Sequence, residues 1–102
     1  MRVKVLGALA MIDNGEADWK LIAINAEDPM AEHLNDIDDL HAHMPGAAEA
    51  LHRWLKYYKT PTINKFAFDG EAQPRAFAEE VLEECHQQWR HLVEERGKAA
   101  LV

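Results

Sequence analysis

Val3-Lys4-Val5-Leu6-Gly7-Ala8-Leu9-Ala10-Met11-Ile12, then Asp13-Asn14-Gly15-Glu16-Ala17-Asp18-Trp19-Lys20, then Leu21 to Ala26, decides how this chain folds. The first run is apolar on both alternating faces. Val3, Val5, Gly7, Leu9 and Met11 fall on one side, and Leu6, Ala8, Ala10 and Ile12 on the other. A strand buried on both faces reads this way. Asn14-Gly15 is a strong turn dipeptide, because both residues tolerate positive φ. Trp19 to Ala26 is the expected antiparallel partner. Glu27-Asp28-Pro29 ends it, since proline cannot donate to a ladder.

Asp13, Glu16, Asp18 and Lys20 sit between these two runs. Acids at a hairpin tip are ordinarily just solvated. Held between buried strands, they also place hard oxygen ligands where a divalent cation such as Mg2+ can bind. Lys20, at the start of the second strand, could meet an anion bound to that metal. The combination points to phosphate chemistry.

The remaining elements follow in order. Residues 30–44 are polar and irregular, and Asn35-Asp36-Ile37-Asp38-Asp39-Leu40 suggests a turn or helical start capped by aspartate. Met44-Pro45-Gly46 opens a helix with Ala48, Leu51, Leu55 and Tyr58 at helical spacing. Thr60-Pro61-Thr62 closes it. Lys65-Phe66-Ala67-Phe68 is a short strand, stopped by Asp69-Gly70. Pro74 suits the first turn of a last helix. Its stripe is Phe77, Val81, Cys85, Trp89 and Val93, and Gly97 is the expected stop.

The length of 102 residues bounds the chain to one small domain, with 48% hydrophobic and 28% charged residues in the range of ordinary globular proteins. A net charge of -7 argues against a nucleic-acid backbone or an anionic membrane as partner. A negatively charged substrate therefore needs a local positive site. The N-terminal apolar run ends at Asp13 with its small residues inside it, so a strand fits better than a targeting segment. Cys85 is the single cysteine, which fits a reducing, cytoplasmic setting, and its acidic neighbours favour a core or half-buried thiol over a nucleophile. His33, His41, His43 and His52 match no structural zinc spacing and read as solvated. Trp19, Trp54 and Trp89 read as core or interface residues. Lys59 at a helix end favourably meets the helix dipole.

Several blocks, in this order, resemble the later part of the soluble inorganic pyrophosphatases of the first family, in their eukaryotic form. They are Val3-Lys4-Val5-Leu6-Gly7, Asp13-x-Gly15-Glu16-x-Asp18-Trp19-Lys20, Asn25-x-x-Asp28-Pro29, Leu34-Asn35-Asp36-Ile37 and Met44-Pro45-Gly46. Tyr57-Tyr58-Lys59-x-Pro61, Phe66-Ala67-Phe68-x-Gly70-Glu71-Ala72 and a terminal helix with His86 and Trp89 complete the set. The resemblance implies a mainly β fold with α: a partial β-barrel of the oligonucleotide-binding type with two packed helices. It implies Mg2+-dependent hydrolysis of inorganic pyrophosphate to two phosphates. By position, Asp13 and Asp18 resemble the family's metal ligands, Lys20 the lysine facing the substrate phosphate, and Tyr58 and Lys59 the contacts to the other phosphoryl group.

This chain lacks the family's Asp-x-Asp-Pro-x-Asp signature, carries Asn14 where eukaryotic members usually have Glu, and has a short segment from Lys59 to Phe66. The resemblance therefore implies a C-terminal piece that lacks part of the active site. The alternatives are a non-catalytic homologue that binds cation or phosphate, a homodimer, or pairing with a complementary N-terminal half.

Overall fold

Strand β1 (Val3–Asp13) is the spine of the structure, a computed structural model that describes residues 1–100, with side-chain surroundings for residues 1–95. It pairs on one side with β2 (Glu16–Asn25), antiparallel and for nearly the full length of both strands. On its other side it pairs with β3 (Lys65–Phe66) at Met11 and Ile12, and with β4 (Gln73–Pro74) at Gly7 and Ala8. The sheet order is β2-β1-β3, with β4 alongside β1. Among the described residues no helix is long and apolar enough to cross a membrane.

The acidic tip is tighter than a loop. Only Asn14 and Gly15 form the turn, both at positive φ, and Asp13 pairs directly with Glu16. β2 therefore begins three residues before Trp19. Asp18 and Lys20 lie within the ladder, opposite Met11 and Leu9.

A bulge between Val5 and Gly7 corrects the alternation expected for β1. Val5 faces Ala23 and Gly7 faces Ile22, so Leu6 is the extra residue. Leu6 thereby joins Leu9, Ile22, Leu34, Ile37 and Leu40 in one buried cluster. Val5 turns instead to a cleft shared with Arg75 and Leu82. The signal was Gly7, since a glycine inside a strand marks a bulge or a close backbone approach.

Residues 29–44 are more ordered than their polarity suggests. Pro29–His33 forms a 3-10 turn, capped by Asp28, whose side chain accepts from the Met30 N–H at 2.8 Å. Helix α1 (Ile37–His43) carries a capping box formed by Asp36 and Asp39. Helix α2 (Ala47–Tyr57) follows Gly46 and lays Ala48 against the cluster. Leu51 and Tyr58 of the expected stripe stay exposed, as does Trp54 beside it.

Helix α3 (Arg75–Ala100) covers the opposite face of the sheet. Ala8 and Ala10 are fully buried there and leave room for close approach, and the Trp19 ring meets the edge of Phe77 at 5.3 Å. Among its described side chains, to residue 95, only those of the first turns pack. Ala78 and Val81 are buried, whereas Leu82, Cys85, Trp89, Leu92 and Val93 are exposed. The expected core stripe thus ends at Val81, and Cys85 is not half-buried. The helix also runs through Gly97 to Ala100. One glycine costs about 1 kcal/mol, and its helix-forming neighbours Glu94, Glu95, Lys98 and Ala99 offset that.

Asp36 joins two helices. Its Oδ1 accepts the Ile37 N–H at 2.7 Å and the Arg75 N–H at 3.0 Å, so it caps α1 and receives the first amide of α3. These bonds, the one from Arg75 first, hold its carboxyl below the ordinary 3.8. The stability it contributes is complete above that unfolded value and is lost as pH falls through the lower folded one. Asp36→Ala is expected to cost about 1–2 kcal/mol in urea denaturation at pH 7, the range of a lost N-cap. Asp36→Asn is expected to retain the cap and flatten the acid limb of the stability profile.

Candidate active site

The β1–β2 register brings the tip residues to one face. Cross-strand partners share a face, and Asp13 opposes Glu16, Met11 opposes Asp18, and Leu9 opposes Lys20. Asp13, Glu16, Asp18 and Lys20 therefore project on the same side as buried Leu9 and Met11. The Lys20 ammonium lies 3.1 Å from the Asp18 carboxylate, and each side chain is 36% exposed. An exposed pair of this kind contributes about 0–1 kcal/mol, so it leaves both groups free to exchange partners. Asp13 and Glu16 are exposed like charges at directly opposed positions, an arrangement that destabilises a hairpin tip.

Tyr58 and Lys59 arrive from another direction. Tyr58 caps the end of α2, its N–H donating to the Trp54 carbonyl at 2.9 Å. Its ring stacks on Trp54 with centroids 4.9 Å apart and planes 13° from parallel, and the Lys59 ammonium lies 5.5 Å from the Tyr58 ring centroid. The following loop is tied back to the helix. Asn64 donates from its backbone to the Lys56 carbonyl at 3.0 Å and from Nδ2 to the Leu55 carbonyl at 2.7 Å. β3 begins one residue later and pairs with Ile12, beside the hairpin tip.

α2 also stands over the face that carries the tip residues. Phe66 pairs with Met11, and the His52 ring of α2 meets the Phe66 ring edge-on at 4.5 Å. His52 is thus partly buried rather than solvated; His33, His41 and His43 are exposed as expected. Lys59 and Lys65 are separated by a span of at most ~20 Å of extended chain. Among the described residues no hydrogen bond or ion pair joins Tyr58 or Lys59 to Asp13, Asp18 or Lys20. Two basic groups escaped the sequence reading. Lys56 and Lys65 flank a cleft of about 450 Å3 beside β3. Their signal was their placement on either side of the Tyr58–Thr62 segment.

The donor set suits a hard cation only in part. Asp13 and Asp18 occupy diagonal positions across the ladder, about 7–8 Å apart at the backbone, and offer carboxylate oxygens. Among the described residues no three acid, imidazole or thiol side chains converge on one point. Mg2+ is commonly held by one or two carboxylates, with waters and substrate phosphates filling its shell, so the pair fits one wall of such a site.

The inorganic pyrophosphatase family model matches residues 1–90. The chain belongs to the inorganic pyrophosphatase family. The inorganic pyrophosphatase of Eremothecium gossypii is 49% identical over 102 residues, which span 97% of this chain and 35% of the relative. The Schizosaccharomyces pombe pyrophosphatase is 48% identical over 95 residues, covering 90% of this chain and 33% of the relative. The solved pyrophosphatase of Schistosoma japonicum is 55% identical with a TM-score of 0.84, over 88% of this chain and 33% of that one. An N-terminally truncated vacuolar soluble pyrophosphatase of Trypanosoma cruzi, solved in complex with PPi, is 43% identical with a TM-score of 0.86, over 90% of this chain and 36% of that one. This chain spans about a third of the length of the curated relatives it matches. The pyrophosphatase fold accounts for the open sheet: the four strands are part of an oligonucleotide-binding-type barrel with helices packed outside.

Proposed function

We propose that residues 1–102 form the C-terminal part of a pyrophosphatase domain and supply one wall of a Mg2+-dependent inorganic diphosphatase site. The observation that carries this reading is the ladder register, which sets Asp13, Asp18 and Lys20 on one face within a pyrophosphatase fold. Asp18 and Asp13 hold the metal, and occupation there relieves the repulsion between Asp13 and Glu16. Bound Mg2+ supplies charge on the phosphate oxygens and a more acidic water. Lys20 neutralises an oxygen of one phosphoryl group. Tyr58 donates a phenolic hydrogen bond, and Lys59 an ammonium, to the other. Phosphoryl transfer to water asks mainly for positioning and charge neutralisation, which these residue types provide. The substrate is pyrophosphate, and the setting is cytoplasmic, in keeping with one exposed, unbridged cysteine.

A second reading is favoured by the absence of a three-donor cluster among the described residues. These residues alone bind cation or phosphate weakly and turn over little. The test is phosphate release from pyrophosphate by the purified 102-residue chain, with and without Mg2+. It is run beside a chimera in which these residues replace the matched segment of the Eremothecium gossypii enzyme. The chimera is expected to release phosphate only with Mg2+, and the chain alone at a rate at least about 100-fold lower, the scale of a lost set of charge-stabilising groups. Full activity of the chain alone would overturn the second reading. An inactive but folded chimera would overturn the first.

A further inference from the structure

We propose that Asn14 is a modification site, which deamidates spontaneously when the hairpin tip opens, so that the tip gains a carboxylate as the chain ages. The inference does not depend on the proposed reaction. The chain has asparagine at positions 14, 25, 35 and 64, and only Asn14 is followed by glycine. The other three side chains are held. Asn25 Oδ1 accepts the Glu27 N–H at 2.9 Å, Asn35 Oδ1 accepts the Lys4 ammonium at 2.6 Å, and Asn64 Nδ2 donates to the Leu55 carbonyl at 2.7 Å. Among the described residues neither the Asn14 side chain nor the Gly15 N–H has a hydrogen-bond partner, and both residues are exposed. A β-carbon at Gly15 would meet nothing within 4 Å. The Gly15 nitrogen is thus shielded neither by a side chain of its own nor by its surroundings.

The chemistry needs only water. The Gly15 backbone nitrogen attacks Asn14 Cγ and gives up its proton to solvent. A new C–N bond closes a five-membered succinimide, and the Asn14 amide nitrogen leaves as ammonia. Water then opens the ring at either carbonyl. One opening restores the ordinary backbone with an aspartate. The other leaves an isoaspartate, whose main chain runs through the former side-chain carbon. Attack within a single residue gains from proximity, provided the nitrogen and Cγ can meet.

The turn controls that meeting. Asn14 and Gly15 sit at φ 51° and 79°. In the left-handed conformation the next nitrogen lies away from the residue's own side chain, so ring closure draws on the opened tip. Asp13 and Glu16 favour opening, because they are exposed like charges at directly opposed positions. The isoaspartate product adds a backbone atom to a two-residue loop. A primed turn no longer fits that loop, and the pairing of Asp13 with Glu16 is lost. The tip that carries the acids therefore changes with the age of the chain.

Peptide mapping by mass spectrometry tests this on the 102-residue chain, aged folded at mildly alkaline pH. The Asn14 peptide is expected to gain the mass of an amide-to-acid exchange at least about 10-fold faster than the peptides holding Asn25, Asn35 and Asn64, since it alone offers an unshielded attacking nitrogen. Glu16→Gln is expected to slow that gain about 2- to 5-fold, the scale of a relieved cross-strand repulsion. Ageing in guanidinium chloride is expected to speed it, because the tip is then open throughout. An Asn14 peptide that converts in guanidinium chloride but stays intact in the folded chain overturns the proposal: the closed turn then locks the residue. Equal rates at all four asparagines of the folded chain also overturn it. So does a Glu16→Gln rate no lower than the parent's, which would leave tip opening without a role.

Discussion

Asp18→Asn in the chimera is expected to lower phosphate release at least about 100-fold, an effect of roughly 2.7 kcal/mol on the barrier. The substitution retains side-chain shape and removes one charge. If Asp18 is a metal ligand, that charge acts where the phosphoryl oxygens gather charge, and preorganised groups of this kind carry losses of about 100- to 1,000-fold when removed. Stability should barely change. The Asp18–Lys20 pair is more than a third exposed, so its loss costs at most about 1 kcal/mol. The measurement is a Mg2+ titration of the rate beside a thermal melt. A rate within a few-fold of the parent would remove Asp18 from the metal wall. Restoration of the rate by much higher Mg2+ would show that affinity, rather than the chemical step, was lost.

Gly7→Ala is expected to destabilise the chain by about 2–4 kcal/mol. A β-carbon at Gly7 would collide with the backbone carbonyl oxygen of Gln73 and crowd the Ile37 side chain. A flexible side chain could swing aside, but the Gln73 carbonyl belongs to β4, which pairs with β1 at Gly7 and Ala8. Relief of the clash requires β4 to leave the ladder, and with it the start of α3. Overpacking of a tight site costs about 1–3 kcal/mol, and lost ladder bonds add to that. Urea denaturation of the 102-residue chain reads the effect. A loss below about 0.5 kcal/mol would show that β4 is loosely held.

Much of this fold was legible because its signals are local. The doubly apolar run of β1, the Asn14-Gly15 turn and the spacing of Ala48 and Leu55 need nothing beyond neighbours in sequence. What escaped depends on contacts distant along the chain. β4 exists because Gly7 admits the Gln73 backbone, and neither residue announces the other. Leu6 faces the core because of a bulge whose only mark was that glycine. The α3 stripe reads as core to Val93, yet the sheet beneath it ends near Val81, and periodicity does not report the length of the surface it covers.

The candidate site divides along the same line. Asp13, Asp18 and Lys20 are two to seven residues apart on one hairpin, so their shared face follows from the turn alone. The position of Tyr58 and Lys59 depends on where α2 ends and how Asn64 ties the next segment back to it, which only the assembled structure gives.

The stacked pair at the end of α2 makes part of this testable by light. Trp54 is 62% exposed and lies parallel to the Tyr58 ring, so its emission depends on where that phenol sits. An anion that draws Tyr58 toward it shifts the stack and changes indole fluorescence without added dye. Trp19, packed on Phe77, and Trp89, out on α3, supply a steady background. The chain thus holds an intrinsic optical reporter one helical turn from the residue proposed to greet the substrate.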